Sequence, residues 1–215
     1  MLIVEVGGEP LSLLPEKAAF LPRHRALLVA DAHIGKAVSF RRLGVPVPRG
    51  TTTETLQRLT ALVDRLQARH VVFLGDFLHS ERALAPATLD ALSRWRERHA
   101  GLDLTLVRGN HDARAGDPPA TLGIEAVDEP FRLGALALCH HPRPVRGAYA
   151  LAGHLHPCAG IGRGLDRVRL PCFWLRPETG VLPAFGAFTG MHAVQAEQQD
   201  RVFVVAEERV LAVEA

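Results

Sequence analysis

The strongest constraint on the fold is a repeated hand-over from a short apolar run to a polar cluster. Leu104-Thr105-Leu106-Val107 reads as a buried strand and breaks directly into Arg108-Gly109-Asn110-His111-Asp112. Gly109 permits the tight turn this needs, and a strand end is a rigid mount for side chains that must meet at one point. The same hand-over occurs four more times. Ala26–Ala30 runs into Asp31-Ala32-His33, Val71–Leu74 into Gly75-Asp76, Ala135–Leu138 into Cys139-His140-His141, and Tyr149–Ala152 into Gly153-His154-Leu155-His156. A doubly wound sheet brings separate strand ends together along one edge, so the five clusters are expected to form one site.

The intervening segments read as β-α-β at first and become β-rich. Leu2–Val6 is a further expected strand, and residues 40–50, with two prolines and two glycines, an expected loop. Thr51 and Glu54 have the spacing of a capping box, and Leu56, Leu59, Val63 and Leu66 follow at helical intervals, predicting a helix that ends near His70. A second helix is expected from Pro86 to about His99, with Leu89, Leu92 and Trp95 inward. Val168–Leu170, Phe173–Leu175, Arg201–Val205 and Val210–Val213 read as strands of a more antiparallel sheet, with a polar turn over Gln195–Gln199. No repeat, low-complexity segment or linker interrupts the 215 residues, so a single domain over 1–215 is expected.

Composition narrows the class without choosing a substrate. Hydrophobic residues make up 47% and charged residues 22%, ordinary values for a globular protein. A formal charge of +2 neither requires nor excludes a nucleic-acid partner. No apolar run approaches the length of a membrane span, and no charged-then-apolar leader opens the sequence. Cys139, Cys158 and Cys172 are odd in number and far apart, the usage of a reduced compartment. A cytoplasmic protein without membrane contact is the expectation.

Each cluster alone has an ordinary reading as a cap or a hydrogen-bonded turn. Five in order, each directly after an apolar strand, point instead to a metal centre, since carboxylate, amide and imidazole ligands suit Mn, Fe, Zn or a similar divalent ion. The motifs Asp-x-His, Gly-Asp, Gly-Asn-His-Asp, His and Gly-His-x-His, spanning Asp31 to His156, resemble those of the calcineurin-like metallophosphoesterases. That resemblance implies an α/β fold, a four-layer α/β/β/α sandwich of two mixed sheets. It implies two divalent metal ions, most readily Mn²⁺, with Fe or Zn as alternatives. One ion would be held by Asp31, His33, Asp76 and His156, and the other by Asp76, Asn110, His140 and His154. A cation pair lowers the pKa of water and clamps phosphoryl oxygens during an in-line displacement. His111 would stabilise the transition state or protonate the leaving oxygen, and Asp112 would orient His111. Two positions depart from the family pattern: His141 stands where glycine is common, and His79 where an aspartate often stands.

Two further stretches bear on the substrate. Asp31 to Lys36 continues into Arg41, Arg42 and Arg49, and Leu170 to Gly190 carries Leu-Pro-Cys-Phe-Trp-Leu and Leu-Pro-Ala-Phe-Gly-Ala-Phe-Thr-Gly. Both are similar to the bacterial DNA ligase-associated metallophosphoesterases. This resemblance implies a phosphodiesterase or endonuclease acting on single-stranded nucleic acid in DNA repair, with a ligase and a helicase as functional partners. Arg143, Arg146, Arg163, Arg167, Arg169 and Arg176 face only Asp166 in sequence between 141 and 176, a balance suited to phosphates. Lys36, Arg41, Arg42, His141 and Arg143 are the expected substrate contacts, and Phe40 and Trp174 are candidates for base stacking. Two alternatives stay open: a small-molecule phosphatase or nucleotide pyrophosphatase on the same metals, and a non-catalytic metal-binding scaffold.

Overall fold

The computed structural model describes residues 1–42, 44–47, 50–80, 83–162, 167–187 and 189–213, with the Arg42 side chain excepted. Two mixed sheets pack face to face. The first runs in spatial order β1 (Leu2–Val6), β2 (Glu9–Leu13), β3 (Ala19–Leu21), β4 (Ala26–Val29), β5 (His70–Leu74), β6 (Asp103–Val107) and β7 (Glu125–Val127). β1 to β4 are antiparallel neighbours, whereas β4, β5, β6 and β7 are parallel. Helices α1 (Lys36–Arg42) and α2 (Thr51–Leu66) connect β4 to β5, and α3 (Pro86–Arg98) connects β5 to β6. The short α4 (Asp112–Ala115) follows β6.

The second sheet is built from β8 (Phe131–Leu133), β9 (Leu136–Leu138), β10 (Tyr149–Ala152), β11 (Pro157–Ile161), β12 (Val168–Leu175), β13 (Thr179–Val181), β14 (His192–Ala193), β15 (Arg201–Ala206) and β16 (Arg209–Val213). Its order is β14-β11-β12-β13-β10-β9-β8, with β15 paired to β12 and β16 to β15. β9, β10 and β13 are parallel, so β9 and β10 end on the same side.

The apolar runs are continuous because both faces of the central strands are covered. Leu27 and Val29 of β4, Val71 and Phe73 of β5, and Leu104 and Leu106 of β6 join Leu56, Leu59, Val63, Leu92 and Trp95 of α2 and α3 in one cluster. The alternate residues Leu28, Val72, Leu74 and Val107 meet Leu138, Leu151, Phe173, Leu175 and Phe203 of the second sheet in another. A smaller cluster around Cys172, Val202 and Val204, with Leu170 and Trp174 against it, lies in the second sheet, while core-forming α2 and α3 belong to the first sheet's side. No described helix is long and apolar enough to cross a membrane.

Local details differ from the sequence pattern at three points. The expected loop over 40–50 begins inside α1, which continues to Arg42. The expected capping box at Thr51 and Glu54 does not form. Gly50 occupies the N-cap at φ 92 with no side-chain cap bond, and Thr51 lies within the helix, its carbonyl accepting the Thr55 hydroxyl at 2.8 Å. α2 ends at Leu66 rather than near His70, because Gln67 turns left-handed and His70 already pairs in β5.

Leu28, fully buried between the sheets, and Leu211, 41% exposed on β16, make a direct comparison. Leu28→Ala is expected to cost about 2–5 kcal/mol. Leu211→Ala is expected to stay within about 0.5 kcal/mol of the parent. Urea unfolding midpoints measure both.

Candidate metal centre

The C-terminal ends of β4, β5, β6, β9 and β10 lie along one edge, and the chain leaves them in strained turns. Asp31, His33, Asp76, His154 and His156 all have positive φ, between 46° and 72°, and make up five of the nine described non-glycine residues that do. Such conformations cost on the order of 1–3 kcal/mol each and persist where surrounding structure enforces them. Backbone bonds supply that enforcement. His33 N–H donates to the Asp76 carbonyl at 2.9 Å, His111 N–H to Asp76 Oδ1 at 2.9 Å, and His154 N–H to Asp31 Oδ2 at 2.9 Å. The glycines of the motifs leave room: a Cβ on Gly109 would stand 2.5 Å from Asp76 Oδ1, and one on Gly75 2.1 Å from His140 Nδ1.

The result is a convergence of acceptors. His140 Nδ1–H donates to the Leu74 carbonyl at 3.0 Å, which leaves Nε2 bare. That nitrogen faces Asn110 Oδ1 at 2.9 Å, His154 Nδ1 at 3.0 Å and Asp76 Oδ1 at 3.6 Å. Beside it, His156 Nδ1–H donates to the Gly190 carbonyl at 3.2 Å, so its bare Nε2 lies 3.4 Å from His33 Nε2 and 3.5 Å from Asp31 Oδ1. Asp31 Oδ1 is buried and has no hydrogen-bond partner. Burial, reinforced by Lys36, His156, His111 and His79, pushes the His33 imidazole down to about 2, and burial with His140 and His141 lowers His154. Both imidazoles are therefore held in the neutral form that binds metals.

A bare nitrogen 2.9 Å from a carbonyl oxygen has no proton to share with it, and a buried orphan carboxylate oxygen costs about 1–3 kcal/mol or more. Cations placed among these donors remove both conflicts, and the mixed oxygen and imidazole set suits borderline divalent ions. Asp31, His33 and His156 form one group of ligand atoms within 4.8 Å of one another, and Asp31, Asp76 and His140 form a second. Asp31 belongs to both groups, and Asp76 lies in the second. A third group of the same span joins His141 to His140 and His154.

The remaining expected site residues fall into three sets. His111 lies at the centre, its Nε2 3.9 Å from Asp76 Oδ2, but its Nδ1–H donates to the His79 carbonyl at 2.9 Å. The expected pairing with Asp112 gives way because that carboxylate is turned to the backbone. Its Oδ1 accepts Phe77 N–H at 3.0 Å and Leu78 N–H at 3.3 Å, and its Oδ2 accepts Gly109 N–H at 2.9 Å. Asp112 therefore staples the Asp76 loop to the Gly109 turn. His79 stacks on His111 with ring centroids 5.2 Å apart, and Phe40 packs on His79.

Lys36 joins the site, its charge acting on Asp31, Asp76 and His33. Arg41 donates to the Val47 carbonyl at 3.4 Å on the exposed end of α1. The Arg42 side chain, Arg49, Arg163 and Asp166 lie outside the described residues. Arg108 forks onto Asp117 at 2.8 Å and also reaches Asp128 at 2.9 Å, contacts that engage its guanidinium. Trp174 donates to Asp200 at 2.8 Å and lies under Arg176, which ties it to the second sheet. Cys158 is fully buried and belongs to none of the metal-type groups.

Glu129, which no motif marks, is the residue that sequence reasoning missed. Its Oε2 accepts His140 N–H at 2.8 Å and His141 N–H at 2.9 Å, and its Oε1 accepts His141 Nδ1–H at 3.0 Å, with Arg143 at 3.4 Å. Burial pushes its carboxyl up, and the bonds from His141 and His140 outweigh this and hold it below the usual range.

Comparison with known proteins agrees with this geometry. Residues 24–142 match the family model for the calcineurin-like phosphoesterases. The crystal structure of Pseudomonas putida nuclease MPE is 43% identical in sequence, covers 99% of both chains and superposes with a TM-score of 0.88. The E. coli phosphoesterase YfcE is 15% identical over 87% of this chain and 96% of its own, with a TM-score of 0.43. No curated protein matches at a significant level.

Two substitutions probe the supports. Asp112→Asn turns an acceptor into a donor among three buried N–H groups and is expected to cost about 1–3 kcal/mol in chemical unfolding. Glu129→Gln is expected to weaken binding of a divalent cation on the His140 side about tenfold, as read by calorimetric titration.

Proposed function

The chain belongs to the calcineurin-like phosphoesterase family, whose members use divalent metals, and from that premise we propose that it hydrolyses phosphodiester bonds in single-stranded DNA or RNA with two divalent cations, most readily Mn²⁺. The observation that carries this reading is the convergence of bare acceptors around the buried carboxylates Asp31 and Asp76. Asp31, His33, Asp76 and His156 would hold one ion, and Asp76, Asn110, His140 and His154 would hold the other. When bound, the ions polarise the phosphoryl group and activate water for in-line attack.

The chain's own groups do the rest. Asp76 offsets the mutual repulsion of the two cations, and Asn110 supplies an oxygen without further charge. His111 donates its Nδ1–H to the His79 carbonyl, which aims Nε2 at the centre; as an imidazolium it would give the Nε2 proton to the leaving oxygen and return to the neutral form. Asp112 acts at one remove, by fixing the loop that carries Asp76. Lys36, His141 and Arg143 meet phosphoryl oxygens close to the centre, and Arg41 and Arg42 on α1 follow the chain outward.

A polymeric substrate fits an open site: the His111 side chain is 32% exposed and that of His141 45%. The likeness to a Pseudomonas putida nuclease over the whole chain supports nucleic acid over a small ester. A place in DNA repair beside a ligase and a helicase follows from the same reading, as does a cytoplasmic setting.

The test compares single-stranded DNA and RNA, a dinucleotide, a cyclic nucleotide and a monoester side by side with Mn²⁺. The oligonucleotides are expected to be cleaved best. His111→Ala is expected to lower kcat about 10²–10⁴-fold, and Asp76→Asn to abolish turnover. Full activity in both variants would sink the assigned mechanism, and a preference for the monoester would replace the nuclease reading with a phosphatase.

A further inference from the structure

Beside the metal centre, beyond His156, lies a cavity of about 180 Å³ that the roles above do not use. His156 forms one wall, and its Nδ1–H bond to Gly190 fixes that wall in place. Pro157, Pro171 and Met191 supply apolar surface, and Lys17 supplies the cation. Lys17 comes from the turn between β2 and β3, where it has a φ of 64°. It is one of only two lysines in a chain whose other cations are arginines.

Lys17 is poorly placed for stability. Its Nζ makes one long hydrogen bond, 3.4 Å to the Gly186 carbonyl, and it forms no ion pair among the described residues. Burial, and then the charge of Arg58, lower its ammonium to about 8. An apolar side chain of the same length would avoid that desolvation. Lys36 already acts on Asp31 and Asp76, whereas Lys17 feels Arg58. The second lysine therefore serves a neighbouring position and not the phosphoryl group at the metals.

We propose that this cavity is a subsite for the nucleotide next to the cleaved bond, with the Lys17 ammonium on its phosphate and the proline and methionine walls against its sugar or base. A pocket that combines apolar surface with polar groups and one placed charge suits such a ligand. The inference rests on the nucleic-acid reading above and adds to it the position of a flanking contact.

Lys17→Met and Lys17→Arg are compared on a single-stranded oligonucleotide and on bis(p-nitrophenyl) phosphate, which has no second phosphate. Lys17→Met is expected to lower kcat/KM on the oligonucleotide about tenfold more than on the small diester, through KM, corresponding to about 1.4 kcal/mol. Lys17→Arg is expected to recover most of that difference. The slope of log KM against log salt is expected to fall by about 0.7 in Lys17→Met, the share of one contact on a single strand. An unfolding midpoint at or above the parent's separates this from loss of fold. Equal losses on both substrates, or an unchanged oligonucleotide KM, would overturn the subsite while leaving the nuclease reading intact. A parent enzyme that cleaves the small diester and no oligonucleotide would remove both.

Discussion

Everything in the site depends on an electrostatic mismatch that the fold enforces. Two carboxylates, Asp31 and Asp76, sit almost fully buried beside imidazoles that burial holds neutral. Left alone, that arrangement is costly, because the buried carboxylates are answered only by backbone N–H groups and by the charge of Lys36. The protein does not relieve the mismatch with its own side chains. It places Lys36 at the margin and Arg108 well outside, engaged with Asp117 and Asp128. The centre is thereby reserved for something small, mobile and doubly charged.

The carboxylates also sew the structure together. Asp31 gives one oxygen to the His154 backbone and keeps the other free, and Asp76 gives one to the His111 backbone. Asp112 and Glu129 spend both oxygens on positioning, one on the Asp76 loop and the other on the His140–His141 turn. The acidic residues thus divide into those that present an oxygen to the centre and those that hold the presenters. Position in the motif does not distinguish them: Asp112 stands directly after His111 and still points elsewhere.

The five central strands were legible because a run buried on both faces is apolar throughout, and the polar break after each run is abrupt. The metal-type residues were legible for the same reason. β12 reads as two separate runs because Pro171 and Cys172 interrupt it, although its pairing with β11 and β15 is continuous across them. β3, β7, β8 and β13 are three residues each, too short to show an alternation, and β2 carries Glu9, Pro10 and Ser12 among its leucines. The start of α2 was misread because a glycine in a left-handed conformation can end a loop as well as a threonine can. Glu129 was invisible, since one glutamate eleven residues before a histidine carries no periodicity or spacing. Its role arises from β8 and β9 folding the chain back on itself.

The bond from His154 N–H to Asp31 Oδ2 spans 123 residues and joins the two sheets. A contact between residues so far apart in sequence closes a long loop, whose entropic cost local contacts do not carry. A nascent chain that has finished the first sheet displays Asp31, His33, Asp76 and Asn110 but lacks His140, His154 and His156. Each sheet alone thus carries only part of the candidate ligand set. The site is therefore complete only when residues of both sheets are in place.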